Sequence, residues 1–287
     1  MQKKHLFPLI IILILFTLGC SLFNPELVDK KEETPTETNN ESTPAQETSA
    51  THDSPCNNIL YPLIPDQQLV YRIDKPEGGN DQIGLTVASV NGSTATIDML
   101  VLSTGILSQS TIECDAGAIK EYPLATMDTI FGDMVDGTLT NEYISGVIAP
   151  SEETLVANDW DMSWESQYIM NGEMTFSEEG ETFTAHINNS PVIMNWSVDS
   201  IGQSLTVPAG NYTNVVIVKR DMTSDFSIDM DGMVLESTIV FKSTHWFEPY
   251  VGMLKMTMDS ATVEVQGMTF PISLGETMEL VEFRPAE

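Results

Sequence analysis

Residues 204–220 read SLTVPAGNYTNVVIVKR, and this stretch constrains the fold more than any other in the chain. Val207 leads into Pro208-Ala209-Gly210, and a β-branched run, residues 215–218, leaves on the far side. Proline presets φ for a turn and glycine accepts a positive φ at no steric cost, so the stretch is strand, tight turn, strand. The same grammar recurs at Glu77-Gly78-Gly79-Asn80, Asn91-Gly92, Glu178-Glu179-Gly180-Glu181 and Asp229-Met230-Asp231-Gly232. Asn-Gly is the strongest of these hairpin signals. About a dozen short strands with Gly, Asn and Asp turns predict an all-β, mainly antiparallel fold. The expected form is one large curled sheet, a half-barrel or a sandwich, with short helices at most.

The expected strands begin with residues 68–73, 83–90, 94–102 and 110–114. Residues 122–158 are less regular: 127–135 suit a short helix weakened by Gly132, and 144–150 a loop or edge strand. Then the pattern sharpens. Trp160, Met162, Trp164, Tyr168 and Met170 fall at period two. Trp160 and Trp164 also suit a helical i,i+4 spacing, but Met162 joins their face only in a strand. A strand carrying Trp196 fills 191–200, and the tail supplies 252–258, 261–265 and 278–283.

The start of the chain sets its compartment. Lys3 and Lys4 precede an apolar run over residues 6–18, too short for a bilayer core of about 30 Å and right for a signal-peptide core. The run ends in Thr17-Leu18-Gly19-Cys20, which resembles a bacterial lipobox. The expectation is a signal peptide over residues 1–19, a lipidated Cys20 as the membrane anchor, and an extracytoplasmic location. Residues 20–55 form the tether. Their Glu, Thr, Asn, Ser and Pro cannot bury enough surface to offset chain entropy, so a disordered linker is expected. As coil it reaches on the order of 30 Å, which holds the domain over residues 56–287 off the membrane.

Charge removes one partner class. The chain carries −30, and losing Lys3 and Lys4 with residues 1–19 makes that −32. Such a protein repels nucleic acid and anionic headgroups. Once Cys20 is lipidated, Cys56 and Cys114 remain, an even pair in an oxidising compartment, and a disulfide between them is the expectation.

No motif for a cofactor, a metal or a nucleophile stands out. The chain has no HExxH, GxSxG, GxGxxG or Walker pattern, and His186 and His245 fall on strands with polar roles as the default. Asp229-Met230-Asp231-Gly232 with Glu236 fails as an EF-hand, because Ser227 and Thr238 would occupy the first and twelfth loop positions. Asp159 and Asp161 beside Trp160 and Trp164 form the carboxylate pair a glycoside hydrolase would need. In a chain with 42 acids, such pairs arise on any solvated strand face. Sixteen methionines, with Met253, Met256, Met258 and Met268 among them, are core filler or the lining of an adaptable apolar pocket.

Three stretches carry a resemblance: Tyr61-Pro62-Leu63 with Leu69-Val70-Tyr71, then Val207 to Tyr212, then Tyr250 to Lys255. In this order they resemble the TapB-like family of bacterial envelope proteins, over roughly residues 56–285. The resemblance implies a β-rich extracytoplasmic domain of unestablished activity, and its motifs are turns and strands. Together these readings predict a lipid-anchored, non-enzymatic domain. Its partners would be the membrane through Cys20 and either an envelope protein or a small hydrophobic ligand at Trp160, Met162, Trp164 and Tyr168. A hydrolase using paired carboxylates is the alternative.

Overall fold

The turn at Pro208-Ala209 is a two-residue hairpin, with Val207 paired to Gly210 and Gly210 at φ 152°. The Ala209 N–H donates to the Leu280 carbonyl at 3.1 Å, tying this turn to the last strand. The computed structural model describes residues 54–74, 79–121, 136–178, 181–230, 233–272 and 277–286. The signal peptide, Cys20, nearly all of the tether, the 127–135 helix and Asp231-Gly232 lie outside the described residues.

The described residues build one antiparallel sheet of 13 strands. These are β1 (Gln68–Asp74), β2 (Asn80–Asn91), β3 (Thr94–Val101), β4 (Ile106–Asp115), β5 (Ala118–Ile119), β6 (Asp136–Gly146), β7 (Ser163–Glu178), β8 (Glu181–Val207), β9 (Gly210–Met230), β10 (Met233–Glu248), β11 (Gly252–Val265), β12 (Met268–Ile272) and β13 (Thr277–Arg284). Their spatial order is β5-β4-β3-β2-β1-β13-β11-β10-β9-β8-β7-β6, with β12 beside the far half of β11. Two runs of hairpins therefore meet where β1 pairs β13, the first strand against the last. The fold class read from the sequence is the one observed.

Besides β6, which runs from Asp136 where an edge strand was read only from 144, and β11, which joins the expected 252–258 and 261–265, three details differ from the sequence reading. β8 runs 27 residues where a hairpin arm and a separate strand were expected. Register shifts after His186, Val198, Ser200 and Gln203 bend it without ending it, so the pattern breaks while the pairing continues. β12 was not anticipated, and its Pro271 is tolerable because β12 pairs on one side only. The third difference is a helix, α1 (Glu152–Ala157), capped by Ser151, whose Oγ accepts from the Thr154 N–H at 3.3 Å. The Trp160 N–H returns to the Leu155 carbonyl at 2.9 Å and Trp160 sits at φ 62°, so the strand begins only at Ser163.

A non-strand segment covers the core face. Within residues 54–67, Cys56, Asn58, Ile59, Leu60, Tyr61 and Leu63 are all buried. Asn58 pins the segment with four bonds: Nδ2 donates to the Gly117 and Pro150 carbonyls at 2.6 and 2.8 Å, and Oδ1 accepts from the Leu60 and Tyr61 N–H groups, both at 2.9 Å. A fully buried amide is tolerable only when satisfied in this way. Cys56 and Cys114 are disulfide-bonded with Cα atoms 5.0 Å apart, closing a separation of 58 residues. In the chain-entropy account, such a closure stabilises by about 4 kcal/mol.

Candidate functional site

Period-two alternation places one residue from each of four neighbouring strands on a single rung. Trp164 of β7 pairs Trp196 of β8, Trp196 pairs Arg220 of β9, and Arg220 pairs Ser243 of β10. The next rung, Ser166–Met194–Met222–Phe241, is wholly apolar but for one serine. On the other side, Val198, Val218 and His245 align. All of these side chains point into the core, and Trp196, Arg220, Ser243 and His245 are each at most 3% exposed.

The rung is held by aromatic stacking and a short polar chain. The Trp164 and Trp196 rings are parallel within 3° at 6.3 Å, and the Arg220 guanidinium lies 5.5 Å from the Trp196 ring. Arg220 Nε donates to Ser243 Oγ at 3.1 Å, and Ser243 Oγ shares a hydrogen bond with His245 Nε2 at 2.9 Å. His245 stacks on Phe247 at 6.2 Å, and Tyr61 from the covering segment meets Phe247 edge-on at 5.1 Å. Burial lowers the Arg220 pKa to about 10, partly opposed by Tyr61. Burial, and then the Arg220 charge, push His245 well below its ordinary range. At neutral pH the core therefore holds a cation beside a neutral imidazole. A charge in such a place is tolerated only with hydrogen bonds and a π-face to replace water.

Chemically, Ser243 and His245 have the spacing of a nucleophile and base, but not its surroundings. His245 Nδ1 has no hydrogen-bond partner among the described residues, so no acid orients the ring. A depressed pKa makes the imidazole a poor base. A cleft of about 650 Å³ is bordered by Trp164, Trp196 and Ser243 together with the charged residues Glu165, Lys219, Asp221, Lys242 and Asp259. Yet Ser243 is 1% exposed, too little for a substrate carbonyl to reach Oγ. In and around that cleft Lys242 pairs with Asp221 at 3.1 Å and Lys219 with Asp199 at 2.6 Å, while the Thr244 hydroxyl donates to Asp259 at 2.6 Å. A second cleft of about 660 Å³ lies beside the disulfide and is bordered by Asp115, Glu152 and Glu153. Among the described residues no three His, Cys, Asp or Glu groups are gathered to hold a metal.

The four residues expected to bind a ligand all border the core. Tyr168 is 3% exposed and its OH donates to the Lys120 carbonyl at 2.5 Å. Trp164 is half-buried, and its Nε1 donates to the Ile148 carbonyl at 3.0 Å. Met162 and Trp160 are half-buried against the same cluster, Trp160 from the turn after α1. Asp159 and Asp161 are exposed residues of that turn. Met253 and Met256 are buried in the core, whereas Met268 is 42% exposed on β12. Sequence reasoning missed Arg220, and its phase was the available signal: it shares a face with Val218 and Met222. His245 was read as a polar strand residue. Its core position follows from the Phe241, Ser243, His245, Phe247 phase.

Two solved structures are distantly similar to this chain. One is described as an exported protein with a YmcC-like fold, from Bacteroides fragilis; it is 12% identical, covering 79% of this chain and 100% of its own, with a TM-score of 0.44. The other, described as a lipoprotein from Parabacteroides distasonis, is 13% identical, covering 79% of this chain and 99% of its own, with a TM-score of 0.45. No family model and no curated protein sequence matches the chain, so the TapB-like resemblance gains no family match.

Proposed function

We propose that this chain is a membrane-anchored, extracytoplasmic, non-enzymatic module that works through its surface as an interaction scaffold. The N-terminal signal and Cys20 support the location. The observation that carries the rest is the sealed core. The aromatic row from Trp164 to Tyr61 is packed ring on ring, its indole N–H groups are satisfied, and the Ser243–His245 pair is buried behind it. Each buried aromatic stabilises by roughly 1.5–3 kcal/mol, so emptying this face for a hydrophobic ligand would be costly. What remains for function is the exterior, of a chain that carries a net charge of −30.

The experiment treats the native full chain with a fluorophosphonate probe and, separately, with an environment-sensitive apolar dye. The expected outcome is no labelling of Ser243 and no saturable one-to-one dye uptake. Labelling of Ser243 that disappears in His245→Ala would overturn the non-enzymatic reading in favour of a serine hydrolase. Saturable dye binding that quenches tryptophan fluorescence would restore the hydrophobic-ligand reading.

A further inference from the structure

The β3–β4 hairpin outruns the core. Leu100 pairs Leu107 across the two strands, Val101 pairs Ile106, and Leu102 follows in the turn. Leu100, Leu102, Ile106 and Leu107 are 39%, 45%, 62% and 64% exposed, the largest apolar exposure concentrated in one hairpin among the described residues. Leu102 Cδ1 lies 3.6 Å from where a Cβ on Gly84 would stand, so that glycine leaves room beneath the leucines. Such clusters mark interaction sites when they are not design faults.

The same hairpin presents a free strand edge. β4 pairs β5 only through Cys114 and Asp115, and Lys120 N–H adds one bond to the Glu113 carbonyl. Along residues 106–112 no strand among the described residues lies on the outer side. Natural edges are blunted by lysine, proline, bulges or inward charge. Residues 106–112 read ILSQSTI and contain none of these, whereas β12, also paired on one side only, carries Pro271.

Charge and position select the occupant. Residues 79–119 carry Asp81, Asp98, Glu113 and Asp115 and no lysine or arginine. A second copy brings the same acidic field, and so does an anionic lipid surface; a basic segment is attracted. The apolar tip also lies far from Ser54, the first described residue. Ser54, where the preceding chain joins, lies by the disulfide, and the Cys114 N–H bonds the Ser93 carbonyl at 2.9 Å. The tip is at the other end of the eight-residue β3, about 26 Å away at 3.3 Å per residue.

We infer that the β4 edge over residues 106–112 docks an extended, apolar protein segment flanked by basic residues, added as a further antiparallel strand. Main-chain bonds supply the pairing, and the apolar contact comes from Leu100, Leu102 and Leu107 on one face of the hairpin and Ile106 on the other. This deepens the interaction reading above and rests on it.

The test uses the full chain in phosphatidylcholine nanodiscs. Its probe is a short synthetic peptide alternating valine and threonine with a lysine at each end. The expected result is saturable binding with new hydrogen-exchange protection over residues 106–112. Ile106→Ser combined with Leu107→Ser weakens it by about tenfold or more. A peptide ended by glutamate binds more weakly, and the gap closes as salt rises. The thermal midpoint of the double variant stays near that of the parent, because both side chains are more than half exposed. Four results would each overturn the inference: equal binding by parent and double variant, equal affinity for the lysine- and glutamate-ended peptides at low salt, protection before peptide is added of those amides in 106–112 that point away from β3, or a concentration-dependent dimer that the double variant abolishes. None of these labels Ser243 or fills the core, so the non-enzymatic scaffold reading fails only by its own experiment.

Discussion

The strands around Trp196 and the hairpin around Leu107 belong to one sheet and leave their apolar residues in opposite conditions. On β8, Val192, Met194 and Trp196 share the core face, and all three are at most 2% exposed. On β3 and β4 the core face carries Ala95, Ile97 and Ile112, whereas Leu100 and Leu107 sit across from each other on the opposite face, beside the Asp98–Gln109 pair, and are open to solvent. The difference is one of phase and of cover. The covering segment with Leu60, Tyr61 and Leu63 is locked over the core by Asn58 and the disulfide, and nothing among the described residues reaches the hairpin tip. Phase decides which face a residue joins, and tertiary cover decides whether an apolar residue there is core or contact surface.

The largest expected effect separates the two regions by truncation. Trp196→Ala removes the Trp164 stack, the Arg220 π-face and a large buried volume, and is expected to destabilise by about 3–5 kcal/mol in urea unfolding. Leu107→Ala in the same assay is expected to stay within about 0.5 kcal/mol of the parent. Comparable losses at both sites would mean that the hairpin tip is core.

A smaller effect is read against pH. His245 has a folded pKa below its unfolded value of about 6.5, so below that pH the unfolded chain binds a proton that the folded chain does not. Stability is complete above about pH 6.5 and falls as the pH drops beneath it, by at most about 1.4 kcal/mol per unit from this group. Burial raises Glu121 and Glu248, which acts in the opposite direction at lower pH. The informative quantity is thus the difference between the parent and His245→Phe. That difference should slope between pH 6.5 and 5 and be flat above 7. A flat difference throughout would place His245 in contact with water.

Much of the architecture was legible because it depends on local chemistry. Asn91-Gly92, Pro208-Ala209-Gly210 and the 178–181 turn each specify a hairpin from a few residues, and the cysteine count left one pairing. α1 was missed although Ser151 followed by Glu152 and Glu153 is an N-terminal signal, because six residues carry too little periodicity to register. The buried polar chain was harder. Arg220 and His245 are residue types expected at the surface, and only the phase of their neighbours contradicts that. Ser166 interrupts the Trp164–Tyr168 face for a reason no spacing reveals: its Oγ accepts the Trp196 Nε1 hydrogen bond at 3.3 Å. The free edge of β4 depends on strand order, which a list of strands does not contain.

The central claim is that one continuous sheet has a sealed half and an open end, and residue-resolved hydrogen exchange of the native chain tests it most directly. Hydrogen-bonded amides in residues 192–198 and 218–224 are expected to exchange only through global unfolding. Those at the β3–β4 tip, residues 100–107, are expected to open at least ~2 kcal/mol more easily, as local fraying. Equal protection at both would contradict the account, because it would mean that the hairpin tip is covered.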